Sequence, residues 1–299
     1  MGSNKTSGIL TCPNCGNSLK EINQKFYCSN CRKDYFIKEN TVFLSGEKSN
    51  LKKNLKRIIF AALKELNPIY HWPFSYLTKK KFEELYNGYL SDKKVAERFK
   101  RDYLSGDAGR KSGGVALDFG CSRGRISALM SQLGFKVVGL DKAYNSWWGN
   151  IKNSNFVVYE AEEKLPFKDG SFDIILAFLA LEYIPKDKTI VREFNKKLKD
   201  GGYLIIQVPN KNHLRYLLTR RKLAPSHLRE YSIEEIKNLL GANDFRVEKI
   251  WTEKFYSPIF TNTLNYVFEI LLPHKILDFV SSITPQKYRG IINIIAQKQ

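Results

Sequence analysis

VALDFGCSRGRIS, residues 115–127, is the stretch from which the fold can be read. The apolar run Val115-Ala116-Leu117 ends in Asp118, and a small turn with Gly120, Cys121, Ser122 and Gly124 follows. From Arg125 the chain reads as helix. A buried strand that feeds a glycine turn into a helix is how doubly wound α/β domains hold a nucleotide-like ligand. Glycine lets the backbone come close, and the site lies outside the carboxyl end of the strand. Asp118 narrows the ligand further, because a carboxylate beside the turn repels a pyrophosphate and attracts a cationic amino group.

From residue 115 onward, apolar runs alternate with helical segments. Strands are expected at 115–118, 136–141, 156–160, 173–178, 202–208, 245–251 and 291–296. Such a pattern predicts an α/β fold: a Rossmann-like, seven-stranded, mostly parallel sheet with helices on both faces. Residues 257–289 separate the last two strands and read as a mostly helical insertion. Residues 46–112 read as a basic helical connector or lid, with apolar residues at helical spacing beside lysines at 51–66. The expected organisation is therefore a module at 1–45, the connector at 46–112 and the main domain at 113–299.

Four of the five cysteines lie near the N-terminus, as Cys12-x2-Cys15 and Cys28-x2-Cys31. Each pair sits in a tight turn, so two thiolates of one loop can reach the same ion. Four thiolates complete a closed tetrahedral zinc site, which makes the metal structural. So small a module has little core and needs its metal to fold. No secretory signal or run of spanning length is visible, which makes the cytoplasm the expected compartment and argues against a transmembrane segment. The balance of 49 Lys+Arg against 30 Asp+Glu gives a net charge of +19. That excess favours a polyanionic partner, either nucleic acid or an anionic membrane surface, unless it is simply a solvated face.

Two further stretches carry chemistry. Asp141 ends the strand FKVVGLD, where an acid can accept hydrogen bonds from both hydroxyls of a ribose. Residues 157–185, VVYEAEEKLPFKDGSFDIILAFLALEYIP, follow, and then LKDGGYLIIQVPN at 198–210.

Together with the glycine turn, these stretches resemble the class I S-adenosylmethionine-dependent methyltransferases, in the branch that includes quinone-biosynthesis enzymes. In this chain Ser122 replaces the middle glycine of the family pattern. The resemblance implies that the backbone at Phe119, Gly120, Cys121 and Ser122 cradles the methionine part, with Gly124 completing the turn. Asp118 would meet its amino group, directly or through water, and Asp141, followed by Lys142, would hold the ribose. It implies that Glu160, or in a second register Glu162, meets the adenine amino group while Ala161 supplies an N–H. Phe178 belongs to the same cofactor set. The cysteine module resembles the zinc ribbons that accompany some methyltransferases, certain ribosomal-RNA guanine methyltransferases among them.

On the acceptor side the candidates are Phe178, Glu182 and Tyr183 after the fourth strand and His213 and His227 after the fifth, where either histidine also reads as a surface or packing residue. Where the family often has Leu-Glu-His, this chain has Leu181-Glu182-Tyr183. The acceptor itself stays open between three readings, with a slight lean to the first. One is an RNA base, gripped by the ribbon, the connector and Arg215, Arg220, Arg221, Lys222 and Arg229. Another is a small-molecule or lipid-linked acceptor roofed by the 257–289 insertion. The last is a non-catalytic, cofactor-retaining scaffold or partner-dependent subunit.

Overall fold

The computed structural model of this 299-residue chain describes residues 8–45, 93–104, 106–111, 113–219, 227–253, 279 and 282–299. The helix expected at 51–66, Arg220, Arg221, Lys222 and most of the 257–289 insertion lie outside the described residues.

Four short strands come first, Lys20–Ile22 (β1), Lys25–Cys28 (β2), Lys33–Lys38 (β3) and Thr41–Phe43 (β4). A helix, Lys93–Tyr103 (α1), and a single turn, Asp107–Arg110 (α2), precede Val115–Phe119 (β5). There follow Arg125–Gln132 (α3), Lys136–Asp141 (β6), Ser154–Val158 (β7), Phe172–Phe178 (β8), Asp187–Lys197 (α4) and Leu198–Pro209 (β9). Leu214–Thr219 (α5), Ile233–Gly241 (α6), Phe245–Glu253 (β10) and Ile291–Lys298 (β11) come next among the described residues.

All eleven strands form one sheet in the order β1-β2-β3-β4-β7-β6-β5-β8-β9-β11-β10. From β4 through β9 every neighbouring pair is parallel, and β11 runs antiparallel between β9 and β10. The direction of winding reverses between β5 and β8, and α/β sheets open their ligand crevice at such a point, outside the carboxyl ends of the strands.

Side chains alternate across the sheet as the pleat requires. Leu117, Ile175 and Leu204 pack with Ile190 and Phe194 of α4 and Ile236 and Leu240 of α6. Ala116, Ile174 and Ile205 pack on the other face with Phe99 and Tyr103 of α1 and Leu129 and Met130 of α3. Asp173 fixes the start of the central strands: its Oδ2 accepts from the Val115 N–H at 2.8 Å and from Lys199 Nζ at 2.8 Å.

The sheet is wider than the expected seven strands, and the N-terminal module is part of it. β4 pairs in parallel with β7 at Thr41–Phe156, Val42–Val157 and Phe43–Val158, and β3 continues the sheet through β4. Without β4, β7 would be an edge strand with a row of unpaired backbone groups. Leu10, Leu19, Phe26 and Val42 of the module share one core with Val157, Phe167 and Phe172 of the main domain.

Candidate active site

The glycine turn is held to β6 by its backbone. The N–H groups of Gly120 and Cys121 donate to the Leu140 carbonyl at 2.8 and 3.1 Å, and that of Ser122 to Asp141 Oδ2 at 2.9 Å. These donors are engaged, so the turn offers a ligand shape and close approach more than free N–H groups. Ser122 has φ 48°, so it adopts the left-handed backbone that the glycine of the family pattern would supply. At Gly120, φ is 72° and a Cβ would lie 2.7 Å from that of Ala180. The turn after β5 therefore abuts the exit of β8, across the point where the winding reverses.

Asp118 is buried beneath the turn, where its Oδ2 accepts from Ser127 Oγ of α3 at 2.7 Å. Burial pushes its carboxyl up to about 6, against the hydrogen bond from Ser127, and the nearby Asp141 charge adds to the rise. Below about pH 6 the free protein thus carries a neutral Asp118, and above it an anion. If this group meets a cationic amino group, affinity for S-adenosylhomocysteine should fall by up to about tenfold per unit as pH drops below that value. Calorimetric titrations between about pH 5 and about pH 8 check this; a flat profile, or one unaltered in Asp118→Asn, removes the charge from the interaction.

Asp141, half-buried, closes β6 with Oδ1 accepting from the Ala143 N–H at 3.1 Å while Oδ2 holds Ser122. Lys142 beside it is exposed. β7 ends at Val158, so Glu160 lies in the following loop and not at the strand tip expected for it; Glu160 and Glu162 are exposed and Ala161 is buried. Since β5, β6 and β7 are adjacent and parallel, Asp118, Asp141 and the Glu160 loop all lie at the same, carboxyl edge of the sheet. Phe178, the last residue of β8, meets the rings of Phe99 and Tyr103 of α1 at 5.9 and 5.0 Å. Cys121 is buried, and burial raises its thiol well above the usual range, which leaves it unreactive.

Next to the turn, Glu182 and Tyr183 lie in a short 3₁₀ turn after β8. Glu182 is buried and its Oε2 accepts no hydrogen bond among the described residues; burial pushes its carboxyl up to about 7, and the charge of Glu230 adds to this. His227 Nδ1 lies 2.7 Å from Glu230 Oε1, which also accepts from Tyr216 Oη at 2.9 Å. The His227 ring stands edge-on to Tyr183 with centroids 5.3 Å apart, and the Leu228 N–H donates to the Glu182 carbonyl at 2.9 Å. An imidazole that donates from Nδ1 to a carboxylate keeps Nε2 as its basic nitrogen. His213 is buried and its ring lies 3.9 Å from that of Tyr216. Arg229, read as a phosphate contact, is committed elsewhere: it pairs with Asp187 and donates to the Pro185 carbonyl at 2.6 Å.

The Sγ atoms of Cys12, Cys15, Cys28 and Cys31 all lie within 4.8 Å of one another, with 3.8 Å between Cys12 and Cys31 and 3.5 Å between Cys15 and Cys28. A tetrahedral ion with Zn–S bonds of about 2.3 Å sets sulfur–sulfur edges of about 3.8 Å. The donor set therefore fits zinc.

Three residues that sequence reasoning overlooked complete the surroundings. Trp148 is fully buried, donates from Nε1 to the Ser122 carbonyl at 2.8 Å, and stacks on Phe156 at 4.7 Å. Asn40 of the N-terminal module donates from Nδ2 to the carbonyls of Trp148 at 2.9 Å and Ser154 at 3.2 Å. Glu230 is the carboxylate partner of His227.

Comparison with known proteins bears on this geometry. Residues 89–250 match the family model of a methyltransferase domain. The ubiquinone biosynthesis O-methyltransferase of Pseudomonas aeruginosa is 26% identical over 168 residues, covering 47% of this chain and 71% of that protein. The sterol 4-C-methyltransferase strm-1 of Caenorhabditis elegans is 33% identical over 98 residues, covering 30% of this chain and 29% of that protein. This chain thus spans well under half the length of the sterol enzyme. A crystal structure of a SAM dependent methyltransferase from Archaeoglobus fulgidus superimposes with a TM-score of 0.48 at 22% identity, over 74% of this chain and 99% of that one. The family match takes in more than half of the 299 residues and every strand from β5 to β9, and the chain belongs to the methyltransferase-domain family of S-adenosylmethionine-dependent enzymes.

Proposed function

We propose that this chain transfers a methyl group from S-adenosylmethionine to a small molecule with an ionisable hydroxyl. The observation that carries the cofactor half is the common edge of β5, β6 and β7, where Asp118, Asp141 and the Glu160 loop lie beside the glycine turn. Asp141 would hold the ribose hydroxyls, the turn would lie along the methionine part above Asp118, and Glu160 or Glu162 with Ala161 would meet the adenine.

When bound, the cofactor's sulfonium supplies an electrophilic methyl carbon. The chain's own task is to hold the acceptor in line with that carbon and to take up its proton. His227 is the proposed base: Glu230 fixes its tautomer through Nδ1, and Nε2 receives the hydroxyl proton as the new O–C bond forms. Glu182, buried one residue from Tyr183, is a second titratable group at this face. Tyr183, edge-on to His227, and Leu228, bonded to the Glu182 carbonyl, are 45% and 54% exposed, which suits an acceptor with an apolar body. The Pseudomonas relative is named for an O-methylation in quinone synthesis, and the same chemistry is the reading adopted for this chain.

The RNA reading keeps the charge of +19 in its favour. It loses Arg229 to Asp187, and the ribbon that was to grip phosphate is built into the sheet. In this proposal Cys12, Cys15, Cys28 and Cys31 hold one structural zinc, and the setting is cytoplasmic, where thiolates stay reduced. No helix among the described residues is long and apolar enough to cross a membrane.

A partition experiment separates the acceptors. The chain is incubated with methyl-labelled cofactor and, in parallel, total RNA, total lipid and a small-molecule extract. Label is expected in the small-molecule fraction, as O-methyl groups released by hydriodic acid. Label in RNA, with binding that weakens steeply with salt, restores the RNA reading. No transfer to any fraction by a chain that binds the cofactor favours the scaffold.

A further inference from the structure

The ribbon reaches the cofactor site by two routes. On the first, Phe36 stacks on Phe43 at 4.2 Å, Phe43 meets Tyr144 at 5.6 Å, and Tyr144 meets Trp148 at 5.7 Å. Trp148 in turn donates to the Ser122 carbonyl, in the middle of the glycine turn. Asn40 closes this route from the ribbon side with its bonds to Trp148 and Ser154, while the Phe156 N–H donates to the Asn40 carbonyl at 2.8 Å.

The second route runs along both flanks of the adenine-side loop. Before the loop, the Leu44 N–H donates to the Val158 carbonyl at 3.0 Å. After it, the Thr11 N–H donates to the Pro166 carbonyl at 2.9 Å and the Lys168 N–H to the Ile9 carbonyl at 2.8 Å, with Leu10 bridged to Phe167. Thr11 adjoins Cys12, so the peptide that clasps the loop is anchored at the metal-ligand set.

The ribbon shares a core with the main domain, and its four-cysteine end is held in addition by the metal. We infer that the metal-loaded ribbon is a positioning element of the cofactor site, so that metal occupancy sets the affinity for S-adenosylmethionine. The inference rests on the cofactor reading above. Both the turn and the loop flanks are strand-edge or loop backbone, which opens locally when its partners leave. Loss of the ribbon's order removes Asn40 from Trp148 and Thr11 from Pro166 together, and frees both walls of the site.

The test uses the full chain with its metal content measured by mass spectrometry and S-adenosylhomocysteine as the calorimetric probe. The zinc-loaded chain should bind one equivalent, the chelated chain at least about tenfold more weakly, and re-added zinc should restore the affinity. Asn40→Ala should keep its zinc and its circular dichroism yet bind the probe about tenfold more weakly, since it removes both side-chain bonds that tie the ribbon to the Trp148 and Ser154 carbonyls. If the metal-free chain unfolds, Asn40→Ala alone decides. Wild-type affinity in the folded metal-free chain, or in zinc-loaded Asn40→Ala, overturns the inference and leaves the cofactor reading standing. A zinc-loaded wild-type chain that binds no probe overturns the cofactor reading, and the inference with it.

Discussion

Asp141→Ala is expected to weaken binding of S-adenosylhomocysteine by at least about 100-fold while leaving the fold intact. The carboxylate is half-buried at a strand end and belongs to none of the three hydrophobic clusters. What it removes is polar: the bond from Ser122 that shapes the turn, the bond from Ala143, and, with ligand present, two ribose hydroxyls. Hydrogen bonds to a charged acceptor contribute about 1.5–3 kcal/mol each, and two of them at the lower figure already amount to about 100-fold. Calorimetry measures the affinity and thermal unfolding the fold. Unchanged affinity would take Asp141 out of the site.

His227→Gln should lower methyl transfer to the small-molecule fraction by about 100-fold or more, the usual contribution of a positioned base. Affinity for S-adenosylhomocysteine should not change, because His227 is not among the residues proposed to hold the cofactor. Glu230→Gln should produce a smaller loss in the same direction, since the imidazole remains but loses the carboxylate that orients it. Equal rates for wild type and His227→Gln would return the histidine to a packing role against Tyr183. A fall in cofactor affinity instead of rate would place it on the wrong side of the site.

The main domain was legible in the sequence because its strands are apolar runs that stop at polar residues. β6 begins and ends where the pattern places it, and β5 and β8 differ from it by one residue. The glycine turn and Asp141 could be found for a similar reason: each sits where a strand gives way to a loop, so its position in sequence fixes its position in space. Glu160 was placed on a strand because Val157, Val158 and Tyr159 continue the apolar run, but pairing with β6 ends at Val158, opposite Asp141.

The union of ribbon and sheet was not legible. β4 meets β7 through backbone bonds, which ask nothing distinctive of either side chain, and the strands are separated by the whole connector, β5 and β6. Asn40 joins Trp148 through its side-chain amide, across 108 positions that no local pattern links. The tryptophan pair that begins six residues after Asp141 was a visible signal for Trp148, and the His-x2-Glu spacing was one for Glu230. Arg229 illustrates the opposite error, because a basic residue near a site reads as a ligand contact until its own carboxylate partner is seen.

A crystal structure of the chain with S-adenosylhomocysteine bound tests the central claim most directly. The account predicts one ligand across the carboxyl ends of β5, β6 and β7, with both ribose hydroxyls about 3 Å from the Asp141 carboxylate. Its adenine amino group should meet Glu160 or Glu162. A ligand on any other face, or one whose ribose makes no contact with Asp141, contradicts it.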